Sequence, residues 1–145
     1  MAHKKDKDFK IVEHMLYSYP DLLFRIEQYK KEIERLENIE FPDKIHMSPS
    51  IIIPSQGAYF EHDAYVGIDA QIAKKKFELQ GMILEAEKIK AALEIIQSDF
   101  YARIINLKYF KNMNYDLIAD QLKCDPSTVK RNKDRLIQRL KNMLL

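Results

Sequence analysis

Cysteine, glycine and proline are scarce in this chain of 145 residues, which has one, three and five of them respectively. A lone Cys124 cannot form an internal disulfide, which fits a reducing compartment, and no histidine lies near it in sequence to activate the thiol. No glycine-rich phosphate loop occurs. The four histidines, His3, His14, His46 and His62, lack metal-ligand spacing, and Glu61-His62-Asp63 reads as a polar run in a surface loop. No apolar run approaches the roughly 18 residues of a membrane span. The start MAHKKDKDFK is charged and no apolar signal region follows it. These absences lead to the expectation of a soluble, cytoplasmic protein with no metal, no cofactor, no small-molecule substrate and no membrane partner, and of a binding protein rather than an enzyme.

What the chain does have is 46% apolar residues, enough for one modest core or for a core divided between a small domain and an extended helical part. Good helix formers dominate, so the expected fold class is all-α: an N-terminal long-helix hairpin or coiled coil followed by a C-terminal helix-turn-helix. Residues Lys4 to Ser18 carry Phe9, Val12, Met15 and Leu16 at helical spacing, and Tyr19-Pro20 is expected to interrupt them. A second helix then starts near Pro20, because the first turn of a helix does not need the missing N–H. In it Leu22, Ile26, Tyr29, Ile33 and Leu36 alternate steps of four and three, a heptad seam. The N-terminal helices thus occupy residues 1–40.

Residues 41–65 contain Pro42, Pro49, Pro54 and Gly57 and read as an irregular linker, within which Ile51-Ile52-Ile53 is either a short extended segment or a plug against neighbouring helices. Across residues 66–97, Ile68, Ile72, Leu79, Met82, Ala86, Ile89, Leu93 and Ile96 step by four and three again, with Lys75 at the one missing position. So strict a period marks a narrow seam. Its partner is either the first seam, folded back as a hairpin, or the same seam on a second subunit, which would make a homodimer.

The last third, residues 98–145, carries the specific spacing. Ser98-Asp99 is an N-cap signal ahead of Phe100, Ile104, Ile105 and Leu107. A polar break, Lys111 to Asn114, precedes a short helix from Tyr115 to Leu122. The turn Lys123-Cys124-Asp125-Pro126 then leads into a final helix from about Ser127, giving the three-helix skeleton of a helix-turn-helix. Ala119 falls where the two helices cross and only a small side chain fits. Ile118, Leu122 and Val129 point inward, and Cys124 fills the turn. Lys123 occupies a turn position where glycine is frequent because the backbone often takes positive φ.

From Asp99 onward there are ten lysines and arginines against five aspartates, while acids exceed bases by three in the rest of the chain. A concentrated positive field suits a polyanion, although a solvated basic helix face has the same composition. With Val129 inward, a rotation of 100° per residue turns Ser127, Arg131 and Asp134 outward, flanked by Thr128, Lys130 and Arg135. Ser127, Thr128, Lys130, Arg131 and Asp134 are therefore candidate base-contacting residues in a major groove of double-stranded DNA. Tyr115, Lys123 and Arg135 are candidate phosphate contacts. A structural three-helix unit that binds protein through this face remains the alternative.

The strings Ile105-Asn106-Leu107-Lys108-Tyr109-Phe110, Asn114-Tyr115-Asp116-Leu117-Ile118-Ala119 and Ser127-Thr128-Val129-Lys130-Arg131 resemble the promoter-reading tail of bacterial sigma factors. The layout of the whole chain, a Tyr19-Pro20 helix pair, a proline-containing middle, a long helix and this tail, resembles the ArpU and RinA families of bacteriophage late-gene transcription regulators. The resemblance implies a sequence-specific regulator that activates late phage genes in the bacterial host cytoplasm, with Pro126, Ser127, Lys130 and Arg131 facing the groove. Two other readings stand beside it: a small-terminase-like subunit for packaging phage DNA, and a coiled-coil adaptor that binds host RNA polymerase.

Overall fold

The computed structural model describes residues 6–39 and 56–145, and the described residues are helical with short connections. The expected all-α class is what the structure shows. Helix α1 spans Lys7–Glu37 and α2 spans Gln56–Ile96. A 3-10 turn Phe100–Ala102, an α-helical turn Arg103–Ile105 and a π turn Asn106–Phe110 follow one another as a single helix, α3. Helices α4, Tyr115–Leu122, and α5, Pro126–Leu144, complete the chain. Among the described residues no helix is long and apolar enough to cross a membrane.

Two expectations are corrected. The break at Tyr19-Pro20 does not occur, and α1 runs through Pro20 as one helix. An interior proline costs about 3 kcal/mol because it has no N–H for the preceding turn. Here Phe9, Val12 and Leu16 before it and Leu22 and Ile26 after it are all buried, while Pro20 lies on the exposed face. Each such side chain contributes about 1.5–3 kcal/mol by burial, so keeping the apolar stripe in phase outweighs the lost hydrogen bond. Second, α2 begins at Gln56, so residues 56–65 of the expected linker, with Glu61-His62-Asp63, are helical rather than a loop. The remainder of that linker, including Ile51-Ile52-Ile53, lies outside the described residues, as do His3 and His46. The chain divides into two compact units, Met1–Phe24 with Leu84–Leu145 and Arg25–Ile83.

In the unit Arg25–Ile83, α1 and α2 pair as an antiparallel hairpin. Ile26, Ile33 and Leu36 are buried, and Ile68, Ile72 and Leu79 are half-buried. The Tyr29 hydroxyl donates to Glu78 Oε2 at 2.8 Å, and Lys76 pairs with Glu37 at 2.6 Å. Lys75 at the odd seam position places its ammonium 4.9 Å from the centre of the Tyr29 ring, which lets its stem cover apolar surface while the charge stays near water. Of the two partners open to the seam at Ile72 and Leu79, this unit supplies the one within the chain.

The other unit has a core drawn from all five helices: Phe9, Val12 and Leu16 of α1, Ala86, Ile89, Ala92 and Ile96 of α2, Ile104, Ile105, Leu107 and Tyr109 of α3, Ile118 and Ala119 of α4, and Val129, Leu136, Ile137, Leu140 and Leu144 of α5. Helix α3 is buried on two sides, through Leu107 against the α4–α5 cluster and through Tyr109 against α1. The Tyr109 hydroxyl donates to Glu13 Oε2 at 2.6 Å and its ring meets Tyr17 edge-on with centroids 4.6 Å apart. Burial and the neighbouring Glu13 carboxylate push the Tyr109 phenol far above its ordinary pKa, so it acts as a permanent donor.

Candidate nucleic-acid interface

The C-terminal helices have capping chemistry at each joint. Asp99 accepts from the Tyr101 N–H at 2.9 Å and starts α3, and Asn114 accepts from the Leu117 N–H at 2.9 Å and starts α4. Asn112, at φ 53°, makes the bend between them, a conformation that asparagine tolerates better than most residues. Lys123 ends α4 at φ 54° and ψ 49°, with its N–H turned back to the Ala119 carbonyl. The positive φ expected at this turn is present. A lysine takes it at a cost of roughly 1–2 kcal/mol that glycine would not incur. Pro126 then opens α5 at its first position, where no N–H is required.

Ile104, Leu107, Ile118, Ala119 and Val129 form one buried cluster, with Tyr101, Met113, Tyr115, Leu122 and Cys124 packed on its edge. Ala119 and Val129, ten residues apart, are 2% and 0% exposed, so an added side chain at 119 has no space to enter. This cluster fixes the rotation of α5. Its inward stripe is Val129, Lys133, Leu136, Ile137, Leu140 and Leu144, and the opposite side faces water.

On that side the structure leaves Pro126, Ser127, Lys130 and Arg131 exposed. Neither Lys130 nor Arg131 has an ion-pair partner among the described residues. Thr128 is half-buried, and its carbonyl accepts from Asn132 Nδ2 at 2.9 Å. Lys123 is exposed at the turn just before α5.

The remaining three candidates are placed differently from the expectation. Asp134 is turned toward Lys133, with its Oδ1 2.5 Å from Nζ and its side chain 38% exposed. Arg135 is engaged with the Asp99 carboxylate at 2.8 and 3.0 Å and with Asn132 at 3.3 Å, which ties α5 to the cap of α3. The Arg135 guanidinium holds the Asp99 carboxyl below its usual value, with help from the Tyr101 N–H. Tyr115 is half-buried on the cluster with the Lys108 ammonium 4.4 Å above its ring. Each of these three side chains has a contact inside the protein: an ion pair for Asp134 and Arg135, and a cation over the ring for Tyr115.

Sequence reasoning missed Lys133, the one charged residue among the described buried ones, at 0% exposure. Its Nζ lies 2.5 Å from Asp134 Oδ1 and 3.6 Å from Glu13 Oε2, with the Phe9 ring centre at 5.2 Å. Burial alone would lower the Lys133 pKa, but the two carboxylates more than offset it, and the net direction is upward. A signal was present: Lys133 falls four residues after Val129, on the same face. Glu13 left no comparable trace, since its two partners are 96 and 120 positions away.

The family profile described as "Protein of unknown function (DUF722)" matches residues 4–142. The chain belongs to the DUF722 family. No curated protein and no solved structure matches it. The DUF722 match covers both the α1–α2 hairpin and the C-terminal helices. In this DUF722 chain, Ser127, Lys130 and Arg131 share the exposed side of α5, with Pro126 and Lys123 at its start.

Proposed function

We propose that this protein is a sequence-specific DNA-binding regulator of transcription, in which α4, the turn at Lys123 and α5 act as a helix-turn-helix and α5 enters the major groove. The observation that carries this reading is the pairing pattern on α5. Arg135 and Lys133 are paired with acids within the protein, whereas Lys130 and Arg131 are exposed beside Ser127 and make no ion pair among the described residues. Cations left without an acid partner on a rigid helix face are available to an external polyanion. The basic surplus from Asp99 onward and the similarity of the tail to sigma-factor promoter readers support the same reading. By its likeness to the ArpU and RinA families, the regulated genes are late phage genes and the site of action is the bacterial cytoplasm. Roles are assigned accordingly: Arg131 and Lys130 donate to guanine edges or phosphates, Ser127 and Thr128 contact base or backbone, and Lys123 meets a phosphate.

The test is a mobility-shift titration of the full chain with DNA from its own genomic neighbourhood and with random duplex. Wild-type protein binds the former more tightly. Lys123→Ala weakens both equally, with the slope of log affinity against log salt shallower by about 1. An unchanged slope removes Lys123 from the interface, and absence of any shift at low salt removes DNA from the function.

A further inference from the structure

Lys133 occupies a position where stability does not call for a charge. The inward stripe of α5 is otherwise apolar, and replacing a buried ion pair with well-packed apolar side chains is often neutral or stabilising. What a lysine supplies there and a methionine would not is a partner for acids. One of these, Asp134, sits at the edge of the proposed DNA-reading face. Its side chain is 38% exposed, yet Oδ1 is buried against Lys133 Nζ, and the two atoms form a close ion pair with no hydrogen bond to any other group among the described residues. Asp134 is also one turn beyond Lys130, the four-residue spacing at which side chains of opposite charge pair on a helix surface. Asp134 nevertheless contacts Lys133, and Lys130 has no ion-pair partner among the described residues.

We propose that Lys133 is a positioning residue for DNA binding: by holding the Asp134 carboxylate toward the interior it keeps Lys130 unpaired and removes a negative charge from the surface that meets phosphate. Glu13 stabilises the arrangement from α1. Its Oε2 lies 3.6 Å from Lys133 Nζ and accepts the Tyr109 hydroxyl at 2.6 Å, so the ammonium is held where Asp134 can reach it. This inference rests on the DNA-binding reading above. It assigns Asp134 no base contact, and it makes Lys133, which touches no DNA, a determinant of affinity. Without Lys133, the freed carboxylate would swing to Lys130 and neutralise it before DNA arrives.

The experiment compares full-chain wild type with Lys133→Met, Asp134→Asn and the double variant. Affinity for a duplex that the wild type selects and for random duplex is measured by fluorescence anisotropy across a salt series, with circular dichroism to confirm folding. Lys133→Met should bind about tenfold more weakly, with a salt slope shallower by about 1. Adding Asp134→Asn should restore both to near wild type, because no carboxylate is then left to capture Lys130. Asp134→Asn alone should keep affinity, slope and preference for the selected duplex. A purely structural role for Lys133 predicts no rescue by the second change, and a folded double variant as weak as Lys133→Met overturns the proposal. So does a folded Lys133→Met that binds like wild type. If Lys133→Met does not fold, Asp134→Asn decides alone: retained preference and slope uphold the proposal, whereas loss of preference makes Asp134 a base contact and overturns it. Wild-type protein that binds no DNA would remove the functional reading itself, an outcome distinct from failed rescue.

Discussion

Tyr109→Ala is expected to destabilise the unit Met1–Phe24 with Leu84–Leu145 by about 3–5 kcal/mol, the usual cost of truncating a buried aromatic side chain. Tyr109 is 1% exposed, packs edge-on against Tyr17 and donates to Glu13. Removing the ring leaves a void between α3 and α1 and strips Glu13 of its best donor. Tyr109→Phe, which keeps the ring, should cost less, about 1.5–3 kcal/mol, the net worth of a hydrogen bond to a charged group. Urea unfolding of the two variants gives both values. Hydrogen exchange should also show faster opening of Val12 and Leu16 amides in Tyr109→Ala. A loss below 1 kcal/mol for Tyr109→Ala would mean that the first half of α1 does not rest on α3 in solution.

Replacing both Lys130 and Arg131 with alanine should weaken binding to a selected duplex by about 2–5 kcal/mol while leaving circular dichroism and the melting temperature close to wild type. Both side chains are exposed and make no ion pair among the described residues, so their loss removes little from the fold. The single Arg131→Ala change should account for about 1–3 kcal/mol and relax selectivity at one base pair. Equal losses on selected and random DNA would instead make both residues phosphate contacts. If the double variant binds as wild type, α5 does not face DNA.

The parts of this structure legible in the sequence are those decided within one or two helical turns. The bounds of α4, the cap at Asp99, the left-handed turn at Lys123 and the cluster around Ala119 and Val129 were readable because each depends on spacing between near neighbours. The heptad seams were equally plain, and the seam in Arg25–Ile83 folds back on α1. Pro20 misled because a local rule, that proline ends a helix, lost to the burial of five apolar side chains in phase on either side of it. The turn residues after Phe41 obscured the true start of α2 in the same way.

Long-range pairing was the least legible layer. Nothing near Asp6 announces Lys141, whose Nζ lies 2.6 Å from its carboxylate, and nothing near Glu13 announces Tyr109 and Lys133. These contacts decide which charges on α5 stay available. Helical rotation identified the outward residues, but only the distances separate Lys130 and Arg131 from Asp134 and Arg135, which are already engaged.

The most direct test of the central claim is enrichment of a random duplex pool on the full-length wild-type protein, followed by a salt titration on the enriched site. DNA reading by α5 predicts that one motif emerges, that it binds at least a hundredfold more tightly than random duplex, and that its affinity falls linearly with log salt. A pool that stays unenriched after repeated rounds at low salt, with no salt-dependent binding to any duplex, would contradict the account.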